Sequence, residues 1–191
     1  MNENELIRKV AAKDLSAFKE LVERYQALVL RICIHLLGSH EEAEEVAQDI
    51  FFQIYKSAGN FRHQSKLSTW IYRIAVNVSL NFIRDNKDFR WLKSLDSLLE
   101  KEPQQAAPHL LLNSKSPEIL LQEKERKKLI QQALASLPEK QKIAFVLNKI
   151  EGLSSQEIAD VLEVTLSSVE ARLHRAKANL QKKLIPLLKK M

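Results

Sequence analysis

Leu15, Phe18, Leu21, Val22, Tyr25, Leu28, Val29, Ile32 and Leu36 recur three and four residues apart, the spacing of one face of an α-helix. Gly38 and Ser39 close this run, and Ser39 with Glu42 three residues on reads as the capping box of a second helix. Val46, Ile50 and Ile54 carry that helix to near Gly59. Residues 59–68 (GNFRHQSKLS) form a polar loop with one aromatic, and a third helix is predicted from about Ser68 to about Arg84.

Residues 86–116 change character. They hold Pro103, Pro108 and a Gln-Gln-Ala-Ala stretch, without a sustained period, and read as a linker with a short helix around Trp91 to Leu99. Ser116-Pro117-Glu118 starts a helix that runs to about Ser136, proline being well suited to a first turn. Pro138 begins another, ending near Gly152. Ser154 or Ser155 caps a short helix (QEIADVL) with Ile158, Ala159 and Leu162 facing inward. The turn Glu163-Val164-Thr165 leads into a longer helix from near Ser167, on which Val169, Leu173, Ala176 and Leu180 make one apolar stripe. The expected fold is all-α: two helical domains, 1–86 and 117–191, joined by a flexible linker, 87–116, the second domain carrying a helix-turn-helix.

Composition agrees with long helices and few breaks. The 191 residues include 3 Gly and 5 Pro, with 45% apolar and 28% charged side chains. Cys33 is the single cysteine, so no internal disulfide is possible. Its neighbours Ile32 and Ile34 mark a buried thiol, and His35, two positions on, lies on a different side of the helix. No metal or other cofactor is expected. The opening MNENELIRKV is polar where a secretory signal is apolar. The most apolar stretch, residues 27–37, is broken by Arg31 and His35 and is too short to span a bilayer. A cytoplasmic protein without membrane insertion is expected.

The net charge of +6 is uneven: +1 over residues 1–90, −2 over 91–125 and +7 over 126–191. A basic C-terminal third suits either a solvated surface or an electrostatic footprint on nucleic acid. The outer face of the last helix decides between them. It presents Ser167, Ser168, Glu170, Arg172, His174 and Arg175, and a polar, basic second helix after a tight turn is built to enter the major groove. Arginine there can pair with guanine O6 and N7. A plain basic helical hairpin is the alternative; small Ala159, the short turn and the basic face favour DNA.

Three blocks resemble the extracytoplasmic-function sigma factors, the small two-domain promoter-recognition subunits of bacterial RNA polymerase. Residues 42–55 (EAEEVAQDIFFQIY) are similar to the family's acidic helix ending in Gln and a hydrophobic run. Residues 61–84 (FRHQSKLSTWIYRIAVNVSLNFIR) are similar to its FRG-S-F-TW-YRIA-N pattern, and TWIYRIAVN is the most specific part. Residues 137–184 begin LPEKQKIAFVLNKIEGLSSQEIA and end VEARLHRAKANLQKKL, resembling the family's helix-turn-helix region. With the N-terminal helix, the likeness covers nearly everything outside the linker.

The resemblance implies a sigma factor that binds core RNA polymerase, reads the −35 element as duplex DNA and holds melted −10 bases. It implies no enzymatic step, a monomer when free, and control by an anti-sigma factor. Glu45, Gln48 and Asp49 fall on the polymerase-docking helix, whose acidic face by charge alone is equally an ordinary solvated one. Phe61, Arg62, Ser65, Lys66, Trp70, Arg73 and Asn77 supply aromatic surfaces and cations for single-stranded −10 DNA. Trp70 shares helical spacing with Ile71, Ile74 and Val78, so core and stacking roles both remain open for it, and for Tyr72. Ser167, Ser168, Glu170, Arg172, His174 and Arg175 occupy the −35 contact positions. Three residues depart from the family pattern. Glu163 stands where a turn glycine is frequent, and a side chain held at positive φ costs about 1 kcal/mol. Glu170 stands where Lys or Arg is common, and His63 where the −10 loop has glycine. A plain regulator with a similar helix-turn-helix would need neither the acidic docking helix nor the aromatic block. An enzyme would need a phosphate loop, a metal-ligand spacing or a nucleophile elbow, and the sequence has none.

Overall fold

The computed structural model describes residues 1–86 and 129–188, with side chains to residue 185. Every regular element among them is helical. α1 (Glu3–Ala11) was not signalled by the apolar spacing. Asn2 caps it, its side chain accepting from the Glu5 N–H at 2.8 Å, and Leu6, Ile7 and Val10 are buried on one face. Burial of such a side chain stabilises by about 1.5–3 kcal/mol, so this short helix is held by packing. Lys13 turns the chain at φ +66°. Its Nζ donates to the Tyr55 carbonyl at 2.7 Å and lies 4.2 Å from the Tyr55 ring centroid, which fixes the corner against the third helix.

α2 (Leu15–Leu37) starts on Asp14, whose side chain accepts from the Ser16 and Ala17 N–H groups, and ends on Gly38 at φ +84°. The predicted stripe is buried at Leu21, Tyr25, Val29, Ile32 and Leu36. Leu15 is an exception: it is 71% exposed, while Ala17 in the same turn is buried. α3 (His40–Ser57) is capped by Ser39 and buries Val46, Ile50 and Ile54 completely. A 3-10 turn (Ala58–Asn60) and the polar loop lead to α4 (Leu67–Asp85), which buries Leu67, Ile71, Ala75 and Val76. Cys33 is buried 3.8 Å from the Ser79 hydroxyl, and desolvation pushes its thiol up to about 11.

In the C-terminal part, helical residues 129–135 precede α5 (Glu139–Lys149), α6 (Ser155–Leu162) and α7 (Leu166–Leu188). Ile158, Val161 and Val169 are buried between α6 and α7, while Leu134, Leu137, Ala176 and Leu180 form a second cluster. The Asn148 side-chain amide donates to the Leu153 carbonyl at 2.9 Å and closes the α5–α6 turn. α6 lies against α4, and α5 against α2. The short helix expected around Trp91 to Leu99 and the helix start at Ser116-Pro117 lie outside the described residues. Among the described residues, no helix is long and apolar enough to cross a membrane.

Candidate nucleic-acid interface

The helix-turn-helix is α6, a three-residue turn and α7. Ser154 and Glu157 form a reciprocal capping box, which anchors the start of α6 by satisfying two otherwise orphaned N–H groups. The Glu157 carboxyl is held below its ordinary range by the Ser154 N–H and then by Lys66. Glu163 ends α6 in the left-handed region at φ +53°, where a β-carbon crowds the following carbonyl. Thr165 then caps α7, its hydroxyl accepting from the Ser168 N–H at 3.3 Å. Val169, Ala176 and Leu180 face the core, which turns Ser167, Glu170, His174 and Arg175 fully outward. Ser168 and Arg172 are half-buried at the edge of the same face. Among the described residues neither Arg172 nor Arg175 is engaged in an ion pair, so both guanidinium groups are available to phosphate or base edges.

The aromatic block splits into two roles. Phe61 is only 9% exposed, its ring 5.4 Å from that of Trp70 and 4.7 Å from that of His63 between centroids. It therefore shapes the loop from beneath. Arg62, Ser65 and Lys66 are exposed, Trp70 and Arg73 half-buried, and Asn77 exposed. Trp70, Arg73 and Asn77 follow one another along α4 at helical spacing. His63 takes φ +56°, the left-handed conformation a loop glycine would adopt freely, and its Nδ1 lies 3.0 Å from Asn4 Oδ1. Tyr72, undecided from sequence, is buried, and its hydroxyl donates to Glu151 at 3.1 Å. Burial raises its phenol well above the ordinary value, with Glu151 adding to the effect.

A cleft of about 990 Å³ separates this block from α6. Phe61, Arg62, Lys66, Trp70 and Arg73 line one wall, and Glu157, Asp160 and Glu163 the other. Lys66 pairs with Glu157 at 3.2 Å and Arg73 with Glu163 at 2.8 Å. Arg73 also donates to the Asp160 carbonyl at 2.6 Å. The candidate −10 residues are thus gathered around one cleft, Asn77 excepted, while none of the candidate −35 residues lines it. The pairing of Lys66 with Glu157 and of Arg73 with Glu163 was missed from sequence, because charges on separate elements give no local signal of their pairing.

On α3, Glu45, Gln48 and Asp49 are exposed on the side opposite Val46, Ile50 and Ile54. Phe52 continues this outer stripe at 56% exposure, with Lys56 Nζ 4.0 Å from its ring centroid. Its position three residues after Asp49 was available in the sequence as the one large apolar side chain on the polar face. No group of three or more His, Cys, Asp or Glu side chains among the described residues is placed to hold a metal.

A helix-turn-helix with an outward cationic face, beside a second helical unit carrying an aromatic and cationic cleft, defines a helical DNA-binding transcription protein. Residues 21–89 match the family Sigma-70 region 2, and residues 127–180 match Sigma-70, region 4. The RNA polymerase sigma-H factor of Pseudomonas aeruginosa is 33% identical over 98% of this chain and 96% of its own length. The ECF RNA polymerase sigma factor SigW of Bacillus subtilis is 32% identical over 93% and 94%. Among solved structures, CnrH with the cytosolic domain of CnrY has a TM-score of 0.63 at 22% identity, covering 95% of this chain and 96% of that one. The sigma factor RpoE with the anti-sigma factor NepR from Bartonella quintana has a TM-score of 0.61 at 21% identity, covering 87% and 96%. Both share the fold. The chain belongs to the extracytoplasmic-function sigma factors of the sigma-70 family. Its function is promoter-specific transcription initiation with RNA polymerase, and it is not an enzyme.

Proposed function

We infer that residues 1–86 bind core RNA polymerase and melted −10 DNA, that 87–116 are a linker, and that 117–191 read the −35 duplex. The observation that carries this reading is the outer face of α7, where Arg172 and Arg175, in no ion pair among the described residues, are flanked by Ser167, Ser168, Glu170 and His174. Arginine at such a face supplies paired donors to guanine and single donors to phosphate. Glu170, an acceptor only, suits a cytosine amino group in the same groove. In the N-terminal unit, Glu45, Gln48, Asp49 and the exposed Phe52 ring offer charges around an apolar anchor, the usual make-up of a protein-docking patch. Arg62, Ser65, Lys66, Trp70, Arg73 and Asn77 take the single strand, with Phe61 holding the loop in shape. The protein works in the cytoplasm, as a monomer when free, under an anti-sigma factor, the kind of partner that RpoE of Bartonella quintana has in its solved complex.

Gel filtration with core RNA polymerase, followed by run-off transcription, tests this reading. Co-elution that is lost when Glu45 and Asp49 are both changed to lysine is the expected result. A chain that binds DNA yet elutes apart from polymerase would make it a plain DNA-binding regulator.

A further inference from the structure

Residues 60–66 run along the cleft, and His63 is the one of them that does not line it. Its chain neighbours Arg62 and Gln64 both do. His63 is held from the side of α1 instead. Its Nδ1 lies 3.0 Å from Asn4 Oδ1, so a ring N–H there donates to the amide oxygen, and its ring meets that of Phe61 edge-on, 4.7 Å between centroids. The backbone at His63 takes φ +56°, where a side chain is strained and glycine is not. Such a conformation persists only where the surroundings impose it, and here the side-chain contacts do so. The anchor at the other end is firm. α1 packs on the 3-10 turn that opens the loop, with Leu6, Ile7 and Val10 buried. The Tyr25 hydroxyl donates to Glu3, the residue before Asn4, at 2.8 Å, and Arg24 Nη2 donates to the Met1 carbonyl at 2.6 Å. Lys13 ties the far end of α1 to the Tyr55 carbonyl at 2.7 Å. Asn4 lies outside the stretch that matches Sigma-70 region 2, which begins at residue 21.

We propose that α1 is the strut of the −10 loop: Asn4 holds His63, and through it sets the placing of Arg62 and Gln64 on the cleft wall before any DNA arrives. This rests on the assignment of the loop to melted −10 DNA. His63 is then a positioning residue for single-strand capture and touches no base itself. A loop already in its binding shape loses less freedom on capture, and a fixed placing of donors and acceptors is what tells one base edge from another. Glycine, expected at this position from the family pattern, would adopt the same φ freely but would have no tie to α1.

The test uses the full chain assembled with core RNA polymerase and a pool of single-stranded DNA oligonucleotides randomised over a short central stretch. Sequencing the bound fraction gives the base preference at each position, a ratio unmoved by charge attraction that acts on every sequence alike. Asn4→Ala and His63→Gly should each cut the strongest preference about fivefold, as when the binding-competent loop population falls to about one fifth while phosphate-only binding persists. The double variant should lose no more than either alone, since both cut one tie. Asn4→Asp, which keeps an oxygen at the same place, should keep the parent's preference. Asn4 is exposed and alanine is the better helix former, so a loss in Asn4→Ala does not come from an unfolded α1. A lower melting temperature with the preference intact in both single variants makes the tie merely structural and overturns the strut, leaving the −10 assignment standing. Loss in His63→Gly alone overturns it as well, since the histidine would then act without α1. A parent holoenzyme with no base preference among single strands overturns the −10 assignment, and the strut with it.

Discussion

Replacing Glu163 by alanine and by glycine separates two effects that the structure superimposes on one residue. At φ +53° the side chain is held where an L-residue costs about 1–2 kcal/mol. Its carboxylate meets Arg73 at 2.8 Å but is 70% exposed, so solvent screening limits that pair to about 1 kcal/mol or less. Alanine keeps the backbone strain and loses the pair, and so should destabilise the chain by roughly that amount. Glycine loses the same pair but releases the strain, offset by about 0.5–1 kcal/mol of extra unfolded-chain entropy. Glu163→Gly should therefore be the more stable of the two by up to about 1 kcal/mol, reversing the ordinary order of alanine above glycine. Urea unfolding followed by circular dichroism measures this, with the slope unchanged between variants. In thermal unfolding the gap corresponds to about 2–4 °C for a chain of this size. An alanine variant equal to or more stable than the glycine variant would refute the claim that the turn is strained.

The −35 face predicts that Arg172→Ala or Arg175→Ala weakens duplex promoter binding, by about 1–3 kcal/mol if the guanidinium reads a base. If the contact is to phosphate, the salt slope should instead fall by about one; unchanged affinity and slope in both variants would sink the assignment of this face. Asn77→Ala should slow open-complex formation, read by permanganate reactivity of the −10 bases, while co-elution with core polymerase stays intact. Cys33, buried beside Ser79 with its thiol raised to about 11, should resist a thiol reagent at pH 8 until the native fold opens. A fast reaction in native buffer would show that the α2–α4 seam is looser than its packing implies.

How far the sequence could be read depended on whether a signal was local. The Val46, Ile50, Ile54 spacing, the Ser39 and Ser154 caps and the Gly38 stop all act within one or two turns, and each is found where the pattern put it. The strained turn at Glu163 was expected only through the resemblance, since the family frequently has glycine at that position, and the left-handed φ of +53° is found there. α1 escaped notice because Leu6, Ile7 and Val10 make too short a stripe to stand out from a polar segment. Leu15 was misplaced because periodicity marks a face and not whether anything covers it. Phe61 could be chosen as an aromatic in a polar loop, yet only its packing on Trp70 and His63 gives it a supporting place. Arg31, Tyr72 and Glu151 meet across 120 and 79 residues of chain, and no spacing rule connects such groups.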